Sequence, residues 1–219
     1  MLSAGGARGA ARGERGPGVR ASWRVAVVAF ELAGAAFGCS RQDPDAVAWR
    51  GELLASRAAK DAFLRGDESP LPPSPRAAFA GLEYFDPDPR FRVDATFTPA
   101  TGSDTVYVAT SAATHEAYLR HGVFAFTLGR KSLRFVCYRA PESGALFVPF
   151  TDATSNHATY GGGRYLDPEM TSDGSERLDF NRAYNPYCAY APGWVCPLPP
   201  AENHLEVEIR AGEKAMRGH

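Results

Sequence analysis

Phe91-Arg92-Val93-Asp94-Ala95-Thr96-Phe97 alternates apolar and polar side chains one by one. A period of two sends successive side chains to opposite faces, so this stretch predicts a strand with one buried face. Downstream, Thr105–Ser111 is β-branched and aromatic. Gly122–Leu128 and Ser132–Arg139 flank Gly129-Arg130-Lys131 and read as a hairpin, and Leu146–Phe150 reads as another strand. Near the end, Leu205, Val207 and Ile209 alternate with Glu206, Glu208 and Arg210. Short strands separated by turn signals predict a mainly β fold, a small antiparallel barrel or sandwich.

Upstream the period changes. Asp43-Pro44 opens a helix, with Asp as cap and Pro at the first helical position. Val47, Trp49, Leu53, Leu54, Ala58, Phe63 and Leu64 recur at roughly helical spacing, and Gly66 stops the run. Ser-Pro-Leu-Pro-Pro at 69–73 is expected to be extended, because Pro fixes φ and disfavours helix before it. The helix is expected to pack on the β domain as a lid or brace. The organisation expected is a signal segment over 1–39, a helix and Pro-rich linker over 40–75, and a β-rich domain over 76–219.

In residues 1–24, Arg8, Arg12, Arg15, Arg20 and Arg24 are offset only by Glu14. An apolar run from Val25 to Gly38 follows and ends in Ala-Phe-Gly-Cys-Ser at 36–40. A basic segment, a short apolar segment and small residues before a cut describe a secretory signal. The run is shorter than the roughly 20 apolar residues a membrane-spanning helix needs. Cys39 stands where lipoprotein signals carry the cysteine that receives diacylglycerol, although Phe37 and Ala36 depart from the usual lipobox and Glu31 interrupts the run. A lipid anchor on the extracytoplasmic side of the cell envelope is therefore expected, with plain secretion as the alternative. The net charge of −1 leaves no basic field to hold nucleic acid.

Four segments resemble the family called domain of unknown function 1684: FAGLEYFDPDPRFRV at 79–93, FVPFTDATSNHATYGGGRYLD at 147–167, LDFNRAYNPYCAY at 178–190 and CPLPPAENHLEVEIRAGEK at 196–214. The resemblance covers about residues 60–214 and implies no particular activity. In the second segment members similar to this one read Thr-Ser-Gly-x-Glu-Thr-Tyr. Here Asn156 replaces the Gly and Ala158 the Glu. Asn also visits left-handed backbone, so the first change suits a turn. The second would remove a general acid or base, if that Glu serves as one in relatives.

The unusual polar residues concentrate between 149 and 204. Asp152, Thr154, Tyr160, Arg164, Asp179, Asn181, Asn185, Glu202 and Asn203 are the candidate ligand-binding residues. Arg clamps carboxylates or phosphates with paired hydrogen bonds, Asn offers donors and acceptors, and Tyr gives a flat wall with a polar tip. The same residues suit somewhat better the reading of pins that lock loops to a barrel. Gly161-Gly162-Gly163 lacks the Lys-Ser/Thr ending of a phosphate loop and fits close backbone packing better.

Cys188 and Cys196 flank Pro192-Gly193, a turn that brings them together, and a disulfide is expected in an oxidising envelope. A zinc site would need two more ligands, with His204 the nearest candidate, and the spacing is not a Cys-x-x-Cys knuckle, so no metal and no cofactor are expected. Cys137 alternates with Leu133 and Phe135 and reads as a core thiol. No Gly-x-Ser-x-Gly or His-Glu-x-x-His motif is present. The leading functional expectation is a non-catalytic envelope lipoprotein, tethered to the membrane, that binds a small polar ligand or an envelope partner. The alternatives are a hydrolytic enzyme using Asp152, Asp179 or Glu202 as acid or base with Arg164 as anion clamp, and a purely structural domain.

Overall fold

The alternating stretch forms strand β1 (Arg92–Pro99), entered through a single 3-10 turn at Pro89–Phe91. Val93, Ala95 and Phe97 face inward while Asp94, Thr96 and Thr98 are exposed, as the period of two requires. The computed structural model describes residues 43–102, 104–170 and 176–216, which all belong to one unit, residues 41–219. The signal-like segment and Cys39 lie outside the described residues.

Strand β3 (His115–Leu128) organises the sheet. Its first half pairs with β2 (Thr105–Ala109) and its second half with β1, so both short strands share one edge. The other edge pairs with β4 (Lys131–Arg139) through the loop Gly129-Arg130. Gly129 has φ 62, which a two-residue hairpin turn demands of its first position. The ladder slips between Arg120 and Gly122, where a Cβ would stand 2.5 Å from the carbonyl oxygen of Thr98.

Strand β5 (Leu146–Asp152) joins β4 only at Tyr138↔Phe147 and Arg139↔Leu146, then diverges to pair with β6 (Arg164–Leu166). β7 (Glu169–Met170) and β8 (Glu176–Asp179) extend the sheet beyond β1. The order is β6-β5-β4-β3-β1-β8-β7, antiparallel throughout and curled as a half-barrel. One short strand, β9 (His204–Leu205), runs parallel to β5.

The expected terminal strand therefore stops at Leu205. Beyond it the backbone bonds sideways, with Ile209 N–H donating to the Asp152 carboxylate at 3.1 Å and Val207 O accepting from Ala153 N–H at 3.0 Å. Alternation persists because Ile209 is buried and Glu208 and Arg210 are exposed, but no neighbouring strand completes a ladder.

Helix α1 (Pro44–Arg65) begins at Asp43, whose carboxylate accepts the Asp45 N–H, and ends at Gly66. It buries Trp49, Leu53 and Leu64, while Val47, Leu54 and Phe63 stay exposed. The Pro-rich stretch bends at Pro70 and Leu71 and is extended at Pro72, but Pro73 then opens a short helix, α2 (Pro73–Ala77), which the Pro content did not lead one to expect. Pro at the first helical position costs no hydrogen bond, which makes that turn possible.

The main core gathers Phe124 and Phe126 of β3, Phe135 and Cys137 of β4, Val148 and Phe150 of β5, Leu166, Leu178, Phe180, Leu205 and Ile209. Phe180 meets Phe150 edge-on at 5.6 Å, an arrangement worth about 0.5–1.5 kcal/mol beyond area burial. A second cluster joins Leu64 of α1 to Leu71, Phe79 and Tyr190. It ties the end of the helix to the loops around the sheet.

Candidate functional site

The sequence-predicted residues separate into several neighbourhoods. Arg164 and Asp152 are each about 1% exposed and meet at 2.8 Å. Arg164 also donates to the carbonyl oxygens of Ile209 (2.8 Å), Glu213 (3.2 Å) and Ala211. Burial lowers the Arg164 pKa, and Asp152 opposes that shift. The other Asp152 oxygen accepts the Thr154 N–H (2.8 Å), the Thr154 hydroxyl (2.6 Å) and the Ile209 N–H (3.1 Å). Thr154 in turn meets Thr159 at 2.9 Å. This is an internal post joining β5, β6 and the C-terminal segment.

Asp179, at the end of β8, pins α1 to the sheet by accepting the Trp49 indole N–H at 2.6 Å. Its second oxygen accepts both the backbone and side-chain N–H groups of Asn181, at 3.1 and 2.9 Å. Asn181 also bonds both backbone groups of Asp88. Asn203 occupies the gap where β4 and β5 diverge: its amide bonds Val136 N–H, Val136 O and Pro149 O at 2.7–2.9 Å. One side chain there replaces a missing piece of ladder. Asn185 donates to Lys214 O at 2.8 Å, and its own N–H reaches Glu213 at 2.9 Å. Glu202 lies apart on the surface, holding Arg120 at 2.6 Å and the Tyr138 hydroxyl at 2.9 Å.

The Gly161-Gly162-Gly163 run serves close packing. A Cβ on Gly163, whose φ is 87, would stand 2.7 Å from Phe150 O. Asn156 adopts φ 65, the left-handed conformation expected of it, and its side chain fills the space over Gly161.

An open polar cleft also lies between α1 and the half-barrel. This cleft of about 350 Å³ is lined by Ser56, Arg57 and Lys60 from α1, Tyr84, Asp167, Pro168, Arg182, Tyr184 and Glu213. Arg57 and Lys60 stand one turn apart and point the same way. The Arg57 guanidinium lies 4.4 Å over the Tyr84 ring and donates to Phe85 O and Asn181 O. Lys60 Nζ donates to Glu213 at 2.6 Å and to the Tyr190 hydroxyl at 3.1 Å. An ammonium has three N–H bonds, so one remains. Tyr184 donates to Asp167 at 2.9 Å.

The Tyr84 hydroxyl and Arg57 Nε are buried with no hydrogen-bond partner among the described residues. Desolvation raises the Tyr84 pKa, and the negative charges of Glu213 and Asp61 add to it. Desolvation also raises Asp167, against the hydrogen bond from Tyr184 and the charge of Lys60. Three cations and two carboxylates line the cleft together with the Tyr84 and Tyr184 rings, and Arg182 is also paired with the buried Asp179 at 3.7 Å.

Of the sequence-predicted residues, none lines this cleft. The residues that sequence reasoning missed, Arg57, Lys60, Tyr84 and Glu213, carried one available signal. Trp49, Leu53, Arg57, Lys60 and Leu64 follow each other at helical spacing, so the two cations lie within the buried stripe.

Tyr160 belongs to the cysteine region. Its hydroxyl lies 3.7 Å from Cys188 Sγ. Cys188 and Cys196 are unbonded thiols, and the Cys188 N–H points to Cys196 Sγ at 3.4 Å. His204 is occupied with Thr151 at 2.9 Å, away from both, and no group of three metal-ligating side chains occurs among the described residues.

The profile of a family described as a protein of unknown function, DUF1684, matches residues 77–214. The chain belongs to that family. A DUF1684 member is thus built on a curled antiparallel sheet. The solution NMR structure of an uncharacterised protein from gene locus rrnAC0354 of Haloarcula marismortui is 42% identical. The match covers 80% of this chain and 98% of that one, with a TM-score of 0.62. None of the curated proteins matches. The DUF1684 profile includes Tyr84, Asp167, Arg182, Tyr184 and Glu213 but begins after α1, so Ser56, Arg57 and Lys60 lie outside it.

Proposed function

We propose that this DUF1684 protein is a non-catalytic envelope lipoprotein that binds a small polar ligand with an anionic group in the cleft beside α1. The observation that carries the reading is the cleft itself: three cations and two tyrosines around about 350 Å³, with the Tyr84 hydroxyl left without a protein partner. An unpaired buried hydroxyl costs stability unless a ligand satisfies it. The hydrolytic alternative has less support. Asp152 and Arg164 are closed on each other, and Asp179 is occupied by Trp49 and Asn181.

The test is retention of small molecules from a metabolite pool, read by native mass spectrometry, on wild-type protein and Tyr84→Phe. The variant should fold with unchanged or slightly higher stability, because it loses only an unpaired hydroxyl. Its affinity for the retained molecule should fall about tenfold, one hydrogen bond's worth. Equal affinity, or no retained molecule on wild-type, would sink the proposal.

The anchor rests on the basic and apolar segments ending at Cys39. Among the described residues no helix is long and apolar enough to cross a membrane, and lipidation would supply the attachment. Wild-type protein in its host should partition into detergent and carry acyl chains on Cys39, and Cys39→Ala should abolish both. An unmodified Cys39 still joined to Gly38 would be the contrary result. In the same compartment Cys188 and Cys196 would close a disulfide contributing about 2–3 kcal/mol.

A further inference from the structure

The surface around residues 187–196 carries chemistry independent of the cleft. Cys188 sits in a 3-10 turn (Tyr187–Ala189) and is partly open to solvent, whereas Cys196 is buried behind it. The Cys188 N–H donates to Cys196 Sγ at 3.4 Å, which holds the two cysteines against each other. The Ser111 hydroxyl accepts the Cys196 N–H at 3.1 Å, while the Tyr160 hydroxyl approaches Cys188 Sγ to 3.7 Å from the other segment. Gly193, with φ 92, reverses the chain between the cysteines. Exposed Tyr187 and Trp194 meet on the same surface with tilted rings 5.0 Å apart.

We propose that Cys188 and Cys196 form a thiol–disulfide exchange pair, with Cys188 as the attacking thiol and Cys196 as the resolving one. Three features support the assignment of roles. An attacking thiol must be reached from solvent, and Cys188 is the more open of the two. It must also exist as thiolate, and hydrogen bonds from Cys196, Tyr160 and Ser111 hold its pKa below the ordinary value against the opposing effect of burial. The resolving thiol must keep its proton until needed, and Cys196 is held protonated by its hydrogen bond to Cys188 and by burial.

The reaction balances with a disulfide R–S–S–R′ as oxidant. The Cys188 thiolate attacks one sulfur, forming Cys188–S–S–R, and R′–S⁻ leaves with the electron pair of the broken bond. Cys196 Sγ then attacks Cys188 Sγ, the bond to R breaks, and the departing sulfur takes that electron pair and the Cys196 proton. The external disulfide is reduced to two thiol species, and the protein pair is oxidised. The same steps in reverse reduce the protein disulfide, so a bond formed in the envelope is exchangeable.

Cys137 is the internal control. It is fully buried among core residues, and burial pushes its thiol up to about 12. Full-length reduced protein is incubated without denaturant with oxidised glutathione, and thiols are mapped by mass. Wild-type should lose two thiols to a Cys188–Cys196 disulfide that dithiothreitol reopens under native conditions. Cys196→Ser should accumulate a glutathione adduct on Cys188 at least about tenfold faster than on Cys137. Cys188→Ser should form no adduct on Cys196 at that rate. A circular-dichroism melt checks each variant, with Cys196→Ala replacing Cys196→Ser if the latter does not fold. A Cys188 no faster than Cys137, or a wild-type disulfide that opens only in denaturant, would overturn the proposal.

Discussion

Arg164 and Lys60 each lie against a carboxylate, at 2.8 and 2.6 Å, yet they serve different ends. Arg164 spends its four terminal N–H bonds on Asp152 and three carbonyl oxygens and reaches no solvent. Lys60 keeps one N–H and borders open volume with Arg57 and Arg182. A buried ion pair is weak evidence of a site, because the desolvation of both charges is offset only when the surroundings close around them. What separates a pin from a binding group is spare hydrogen-bonding capacity beside accessible space.

The comparison breaks most visibly at Arg164. Arg164→Met leaves the Asp152 carboxylate and three carbonyl oxygens short of donors, and chemical denaturation should show a loss of about 3–5 kcal/mol. A loss below about 1 kcal/mol would mean that the post is not closed. Lys60→Ala is milder. Glu213 keeps the Tyr190 hydroxyl and the Asn185 N–H, so the loss should be about 1–2 kcal/mol, with a larger effect on ligand retention than on folding. A loss as large as that of Arg164→Met would make Lys60 a second pin.

The smallest effect sharpens the electrostatics of the cleft. The raised pKa of Asp167 means that the folded state holds this proton more tightly than the unfolded chain. That contribution is complete at low pH and is lost as pH rises through the folded pKa. Asp167 is exposed at the rim of the cleft, so solvent screens most of this effect; Asp167→Asn should be only slightly more stable than wild-type at neutral pH, by less than about 0.5 kcal/mol, since Asn still accepts from Tyr184. The advantage should fade on acidification in thermal melts. An advantage that grows as pH falls would reverse the assigned direction.

The sheet was largely legible because alternation is a local property: Val93, Ala95 and Phe97 announce an inward face without knowledge of partners. The same logic failed after Leu205, where alternation survives but Asp152 takes the place of a neighbouring strand. On α1 the apolar residues at helical spacing mixed two faces. Val47, Leu54 and Phe63 point out, and the buried stripe runs through Arg57 and Lys60 instead. Asp152, Arg164 and Asp179 stood out as unusual polar residues, yet their roles depend on acceptors such as Ile209 O and donors such as Trp49 Nε1. Those partners lie far away in the chain. Glu213 sits in an unremarkable Ala-Gly-Glu-Lys run and gains its meaning only where Lys60, Asn185 and Tyr190 converge.

The Asn203 amide has a consequence for how the chain is made. β4 and β5 are sequence neighbours, but Val136 and Pro149 must wait for a side chain more than fifty residues downstream. Arg164 likewise waits for the carbonyl oxygens of Ile209, Ala211 and Glu213, which are made later still than Asn203. Synthesis proceeds from the N-terminus, so the early strands emerge from the ribosome before the groups that lock them exist. The half-barrel is sealed by its final segment, and a nascent chain stopped before residue 203 carries strands without their clasp.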